Sequence, residues 1–336
     1  MYLQQFVGRR LKRDIVTRFG LILLNKHTIL EAEHIPKLES HNVELTEEDV
    51  EFPEIAGQFR ERLLTEATEE IRSMFLAIRL EEKVPMNEIA QRLVPAVEQA
   101  AGSNDLFDLL SSIQSKDDYT YRHNIGVGLL ATMIGKWLQL PDDELRVLTM
   151  AATLHDIGKV RIPEHILNKP GKYTSEEYEI MKKHAEYGYE ILLQSDCADP
   201  RIPLVALQHH EREDGGGYPY GITGKQIHFF SKIVAVADVF HAMTSHRVYR
   251  PGKSFCEVIR QLHESRFGKL DPEIIEVFLR HIMTMAIGNE VILSDGRRAK
   301  VVFIHPQDPL NPIVAVGDEY IDLRKDKQIE IAHIVG

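Results

Sequence analysis

Apolar residues recur at two different periods along the 336-residue chain, and each change of period marks a boundary. Residues 1–52 alternate short apolar runs with turn residues. Ile15-Val16 and Leu21-Ile22-Leu23-Leu24 flank Arg18-Phe19-Gly20, which predicts a hairpin with Gly20 in its turn. Glu31 to Glu39 has helical spacing, with Ile35 and Leu38 on one side. A small α+β module results, suited to docking or to a homodimer contact. Residues 53–115 are rich in Glu, Arg, Leu and Ala and carry little Gly or Pro. Leu63, Ile71, Met74, Phe75 and Ile78 recur at helical intervals, as do Ile89, Leu93 and Val97, predicting two to four amphipathic helices as a lead-in. After Ala286 the period falls to two. Val291-Ile292-Leu293 and Ala299 to Ile304 flank Ser294-Asp295-Gly296, and runs at 312–316 and 329–334 add two more strands. Residues 286–336 therefore form a small β module.

Between them, residues 116–285 read as mostly helix. Pro141-Asp142-Asp143-Glu144 opens one helix, with proline in the first turn and acids at the positive end of the dipole. Along it Leu145, Leu148, Ala152 and His155 are spaced three, four and three apart, so His155 ends an apolar stripe and points inward. Thr174-Ser175-Glu176-Glu177 matches a capping box for a helix on which Met181, His184, Gly188 and Ile191 share a face. Pro203 opens another, in which Val205 and His209 are four apart and His210 follows, before Gly215-Gly216-Gly217 ends it. Val234, Asp238 and His241 align in the apolar run Ile233 to Met243.

The predicted fold is thus mainly α, a helical core with small β-rich modules at both ends. One histidine on an apolar face is ordinarily a hydrogen-bonded core residue. An aspartate there is different, because an unpaired buried carboxylate costs on the order of several kcal/mol or shifts its pKa. His123, His155, His184, His209, His210, Asp156 and Asp238 together need partners, and a transition-metal centre supplies them all. Adjacent His155 and Asp156 converge at a helix end, with Lys159 three residues on.

Composition narrows the remaining classes. A formal net charge of -11 argues against a broad surface for polymeric nucleic acid. Two cysteines, Cys197 and Cys256, make no disulfide framework and suit a reducing cytoplasm. The apolar run Phe19 to Leu24 is too short to span a bilayer.

At roughly residues 115–285 the chain resembles the HD-GYP family, a branch of the HD metal-dependent phosphohydrolases. The resemblance rests on linked motifs: His155-Asp156-Ile157-Gly158-Lys159-Val160-Arg161-Ile162-Pro163, Met181-Lys182-Lys183-His184, His209-His210-Glu211, Gly217-Tyr218-Pro219, Ala237-Asp238 and Arg247-Val248-Tyr249-Arg250. It implies an HD-type helical bundle at 116–285 and hydrolysis of cyclic dinucleotides, usually cyclic di-GMP, at two or three iron or manganese ions. By position, His123, His155, Asp156 and Asp238 are expected to hold one metal. His184, His209 and His210 are expected to hold the second, with Asp156 bridging. The donor chemistry alone suits iron, manganese or zinc. Two cations close together lower the pKa of a water between them, so hydroxide is available to attack phosphorus in line with the leaving 3′-oxygen. The resemblance gives Asp156 and Lys159 catalytic roles, with Lys159, Tyr218, Arg247 and Arg250 contacting substrate. Glu211 is expected to order a loop or support the ligands from behind.

Two positions depart from the family. Tyr119 stands where some members carry a glutamate that helps hold a third metal, so a two-metal site and a linear product, pGpG, are expected over complete conversion to GMP. His241 stands where the family has an aspartate, as a supporting partner, an added ligand or a mark of altered activity. The alternatives to a cyclic di-GMP phosphodiesterase are a hydrolase for another cyclic dinucleotide or nucleotide, and a catalytically silent receptor.

Overall fold

A computed structural model describes residues 3–7, 9–13, 15–16, 22–24, 28, 30–31, 34–41, 43, 45–46, 49–51, 56–79, 83–102, 119–195, 197–244, 255–326 and 328–335, without the side chains of 5, 10, 16, 22, 51, 56–61, 119–120 and 333–335. The chain divides into two compact units, Met1–Phe59 and Arg60–Gly336.

In the first unit, β1 (Arg10–Leu11) pairs antiparallel with β4 (Val50–Glu51), and β2 (Ile15–Val16) with β3 (Ile22–Leu24). The helix α1 (His34–Ser40) buries Ile35 and Leu38, the two positions its spacing assigns to one side. These pack with Phe6, Leu11, Ile15, Leu30, Leu45 and others into a small separate core. Gly20, the expected turn residue, lies outside the described residues.

The second unit is a helical bundle with a sheet at its C-terminal end. Its helices are α2 (Ala56–Arg79), α3 (Met86–Glu88) continuing through a π-helical turn (Ile89–Leu93) into α4 (Val94–Ala100), and α5 (Tyr119–Trp137). Then come α6 (Asp142–Leu154), a 3-10 turn (Ile157–Arg161), α7 (Glu164–Leu167), α8 (Ser175–Lys182), α9 (His184–Gln194) and α10 (Arg201–Gln208). After a long loop follow α11 (Phe229–Thr244), α12 (Phe255–Ser265) and α13 (Pro272–Thr284). The strands β5 (Glu290–Leu293), β6 (Arg298–His305), β7 (Asp308–Val316), β8 (Glu319–Asp322) and β9 (Ile331–Val335) form one antiparallel sheet in the order β8-β7-β6-β5-β9. Its buried residues, among them Val291, Val301 and Val314, join the core of the bundle.

Two features set the positions from which the site is built. The hairpin of α5 and α6 is held by small and hydroxyl residues: Thr132 Oγ1 and Thr149 Oγ1 lie 2.7 Å apart in the core. One turn along each helix, Gly128 leaves room for Thr153, whose Oγ1 would sit 2.4 Å from a Cβ at that position. The second feature is the crossing of the 3-10 turn over α9. A Cβ on Gly158 would lie 1.9 Å from the His184 carbonyl oxygen and 2.4 Å from the Gly188 nitrogen. Glycine at 158 therefore lets the Asp156 turn reach the start of α9.

The expected capping box is present: Thr174 Oγ1 accepts from the Glu177 N–H at 3.2 Å, and Glu177 Oε2 from the Thr174 N–H at 2.7 Å. The helix it opens does not run on to Ile191, however. It breaks at Lys183, whose N–H bonds back to Ile180 O, while the His184 ring takes the Met181 carbonyl that a continuing helix would use. Strand β8 was also not read from the sequence, because Glu319-Tyr320-Ile321-Asp322 is half exposed and shows no apolar alternation. Packing at Gly158 predicts that Gly158→Ala lowers the stability of the metal-free protein by about 1–3 kcal/mol or prevents folding. Urea unfolding measures this, and a loss below about 0.5 kcal/mol would show that the crossing is not tight.

Candidate metal centre

Three histidines of the site stand at the ends of helices. His155 follows the last residue of α6, His184 lies just beyond the end of α8, and His209 follows the last residue of α10. The last carbonyls of a helix have no intrahelical donor. Each of these histidines satisfies one of them, three residues back: Nδ1 of His155 to Ala152 O at 2.7 Å, of His184 to Met181 O at 2.7 Å, and of His209 to Ala206 O at 2.9 Å. A carbonyl only accepts, so the proton belongs on Nδ1 and each Nε2 presents a lone pair. The C-terminal ends of α6 and α10 carry partial negative charge here, which favours a cation.

The lone pairs point at one carboxylate. Asp156 is buried. Its Oδ1 lies 3.3 Å from His184 Nε2 and 3.7 Å from His209 Nε2. Its Oδ2 lies 3.3 Å from His155 Nε2 and 3.5 Å from His123 Nε2. His123, on α5, also places Nε2 3.1 Å from Asp238 Oδ1, on α11. His210 Nδ1 stands 3.9 Å from Asp238 Oδ2 at the partly exposed side. The donor atoms fall into two groups, Asp156-His184-His209-His210 and His123-His155-Asp238, each with its atoms within 4.8 Å of one another.

These residues fit divalent cations on two observations. His155 Nε2 and Asp156 Oδ1 are buried with no hydrogen-bond partner among the described residues. His184 Nε2 and His209 Nε2 lie 3.3 Å apart, and with both Nδ1 protons committed to carbonyls two lone pairs face each other. A cation between them turns that repulsion into binding.

The protonation preferences agree. Burial opposes the charge of Asp156, but Lys159, which is ion-paired to Oδ2, and His155 outweigh it and hold the carboxyl well below its ordinary range. Burial likewise opposes Asp238, and His123 outweighs it. Burial brings His184 down to about 3 and pushes His210 well below its usual value, so both rings are neutral and ready to donate. His155 goes the other way: burial lowers it, but Asp156 and Asp238 raise it more. The two carboxylates thus favour positive charge beside this ring.

Around the donors the structure places most of the other expected residues. Lys159 Nζ reaches Asp156 while its side chain stays 21% exposed. The Tyr218 ring lies 4.6 Å from the His210 ring, tilted by 32°, and burial raises its phenol so that it keeps its proton. The Tyr218-Pro219 peptide bond is cis. Glu211 orders the loop: Oε1 accepts the Tyr220 N–H at 2.8 Å and Oε2 the Ile222 N–H at 3.1 Å. His241, on α11, faces His123 on α5 and lies outside both donor groups. Arg247, Arg250 and the side chain of Tyr119 lie outside the described residues. Sequence reading missed the glycines that allow these approaches, Gly126 and Gly158. A signal was there for Gly126, since glycine inside a helix is unfavourable by about 1 kcal/mol relative to alanine and stays where something packs close.

An HD domain model matches residues 83–274, more than half of the chain. The chain belongs to the HD domain family. Over 207 residues it is 37% identical to cyclic di-GMP phosphodiesterase PA4108 of Pseudomonas aeruginosa, covering 62% of this chain and 50% of that one. Over 183 residues it is 43% identical to a cyclic di-GMP phosphodiesterase of Thermotoga maritima, covering 52% of this chain and 49% of that one. The chain thus spans about half the length of these relatives. In fold it is like Bd1817, a HDG"Y"P protein from Bdellovibrio bacteriovorus, with a TM-score of 0.55 at 17% identity over 82% of this chain and 94% of that one. No helix among the described residues is long and apolar enough to cross a membrane.

The two donor groups predict two bound divalent ions per chain. Because Asp156 faces both, Asp156→Ala should bring the stoichiometry below one, while His184→Ala should leave one ion bound. Elemental analysis after gel filtration reads this directly. Equal stoichiometry in wild type and Asp156→Ala would contradict the arrangement.

Proposed function

We propose that the chain is a two-metal phosphodiesterase that opens cyclic di-GMP to linear pGpG. The observation that carries this reading is the Asp156 carboxylate, with one oxygen toward His184 and His209 and the other toward His155 and His123. Such a carboxylate is built to bridge. In this reading His123, His155, Asp156 and Asp238 hold one ion, and Asp156, His184, His209 and His210 hold the other. Iron and manganese are the preferred metals on the strength of the family resemblance, since the donor set alone suits zinc as well. Divalent cations there would supply an activated water at neutral pH and screen the charge that develops on the phosphate.

The chain's own residues then position and protect the reacting group. Lys159 lies at the carboxylate with part of its side chain exposed, so its ammonium is placed to neutralise a non-bridging phosphate oxygen. Tyr218 stays protonated and stands beside His210, so its hydroxyl is a donor for a second oxygen or for the ligand's base. Arg247 and Arg250 complete the substrate contacts on the strength of the motif alone. Attack by water on phosphorus breaks one P–O3′ bond, the 3′-oxygen takes up a proton, and the second ester remains. That leaves a linear dinucleotide, in keeping with Tyr119 where a third-metal glutamate would stand. The setting we propose is a bacterial cytoplasm, with the terminal modules as docking or homodimer surfaces. The proposed domains are 1–52, 53–115, 116–285 and 286–336.

The direct test incubates full-length protein, loaded with manganese or iron without oxygen, with cyclic di-GMP and separates the products. Linear pGpG is expected. Lys159→Ala should keep both metals yet lose turnover by on the order of a hundredfold or more. Binding without turnover would favour a receptor, and no binding would direct the search to another cyclic nucleotide.

A further inference from the structure

The loop that follows His210 and carries Tyr218 folds back on itself. The Tyr218 N–H donates to His210 O at 3.2 Å, and the Gly224 N–H to Glu213 O at 3.2 Å. The N–H groups of Tyr220 and Ile222 donate to the Glu211 carboxylate. These bonds shape the loop. Its attachment to the turn between α12 and α13 comes at Glu213 and Asp214, whose N–H groups donate to Lys269 O at 3.2 Å and to Gly268 O at 2.8 Å.

A side chain from α11 ties the same place. Lys232, near the start of that helix, sets Nζ 3.0 Å from Glu213 Oε1 and 3.1 Å from Asp271 Oδ2. The lysine side chain is 17% exposed and its two partners 22% and 17%, so both ion pairs are largely shielded from water. Each partner is itself held. Asp271 Oδ1 accepts the Glu273 and Ile274 N–H groups at 3.0 and 3.2 Å and caps α13. Glycine at 224 leaves the space that the Glu213 carboxylate fills, since a Cβ there would lie 1.7 Å from Oε2. Burial opposes the charge on Lys232, but Glu213 and Asp271 outweigh it and keep the ammonium protonated. Without that ammonium two largely buried carboxylates would face each other, which would push the loop away from α13 as well as release it.

We propose that Lys232 is a positioning residue for substrate binding: through Glu213 it holds the loop that carries Tyr218 in place to meet the cyclic dinucleotide. This rests on the phosphodiesterase reading of the preceding subsection and deepens it. Lys232, Glu213 and Asp271 belong to neither donor group, so the tie sets substrate affinity and leaves the metals alone. The helix that supplies Lys232 also supplies Asp238, and the metal centre and the substrate loop thereby share one frame.

The test uses full-length, manganese-loaded protein and the variants Glu213→Ala, Lys232→Met and Lys232→Arg. Glu213→Ala leaves Lys232 with Asp271, so the cap of α13 stays and the loop alone is released. Both ions should remain bound in this variant. Its KM for cyclic di-GMP should rise by about tenfold, the scale of one lost hydrogen bond to a charged group, while kcat changes far less. Lys232→Met should lose at least as much, and Lys232→Arg should restore most of it. In a Tyr218→Ala background, Glu213→Ala should raise KM no further, because the residue it positions is gone. Amide hydrogen exchange needs no substrate: the Tyr220 and Ile222 N–H groups should exchange about tenfold faster or more in Glu213→Ala and Lys232→Met. Exchange at the wild-type rate in Glu213→Ala, or a KM effect that adds in full to that of Tyr218→Ala, would overturn the proposal. Wild-type protein that neither binds nor opens cyclic di-GMP would instead sink the phosphodiesterase reading, while exchange still tests the tie.

Discussion

The buried carboxylate of Asp156 is the interaction on which the site depends. Four imidazole nitrogens and one ammonium surround its two oxygens, and the carboxylate itself is 1% exposed. Burying a carboxylate alone would cost several kcal/mol, on the order expected for an unpaired ion. The surrounding elements meet that requirement together. α5 brings His123, the end of α6 brings His155, the 3-10 turn brings Asp156 itself, α9 brings His184, and the segment after α10 brings His209. A helical bundle is a good frame for this, because helix ends placed side by side supply both unpaired carbonyls and partial negative charge.

The same economy governs orientation. Three histidines fix their tautomers on their own helices, three residues back, so the ligand geometry is set locally and does not wait on distant contacts. What must come from tertiary packing is the approach of the elements, and glycine provides it. Gly158 admits the start of α9 to the Asp156 turn, and Gly126 admits His241 to α5.

Much of this was legible in the sequence, for identifiable reasons. The spacing of Leu145, Leu148, Ala152 and His155 pointed His155 inward, and the structure buries it fully. The concentration of histidine and aspartate on apolar faces signalled a cation, since burial leaves such groups few other partners. The resemblance divided them as the two spatial groups divide them. Other features were not readable. The break at Lys183 arises because the His184 ring competes for a backbone carbonyl, which periodicity does not register. Strand β8 is half exposed and shows no alternation, and β9 pairs with β5 across a long separation that no local pattern encodes. His241 stood out only as a departure from a motif, because its partner lies 118 residues away. Arg247 and Arg250 rest on the motif alone, since they fall outside the described residues.

The central claim is that one carboxylate joins two metal groups. Anomalous diffraction from crystals of the manganese-loaded full-length protein tests it most directly. The account predicts two peaks roughly 3.5–4 Å apart, both bonded to Asp156, one beside His123, His155 and Asp238 and the other beside His184, His209 and His210. A single peak, or two peaks of which only one touches Asp156, would contradict it.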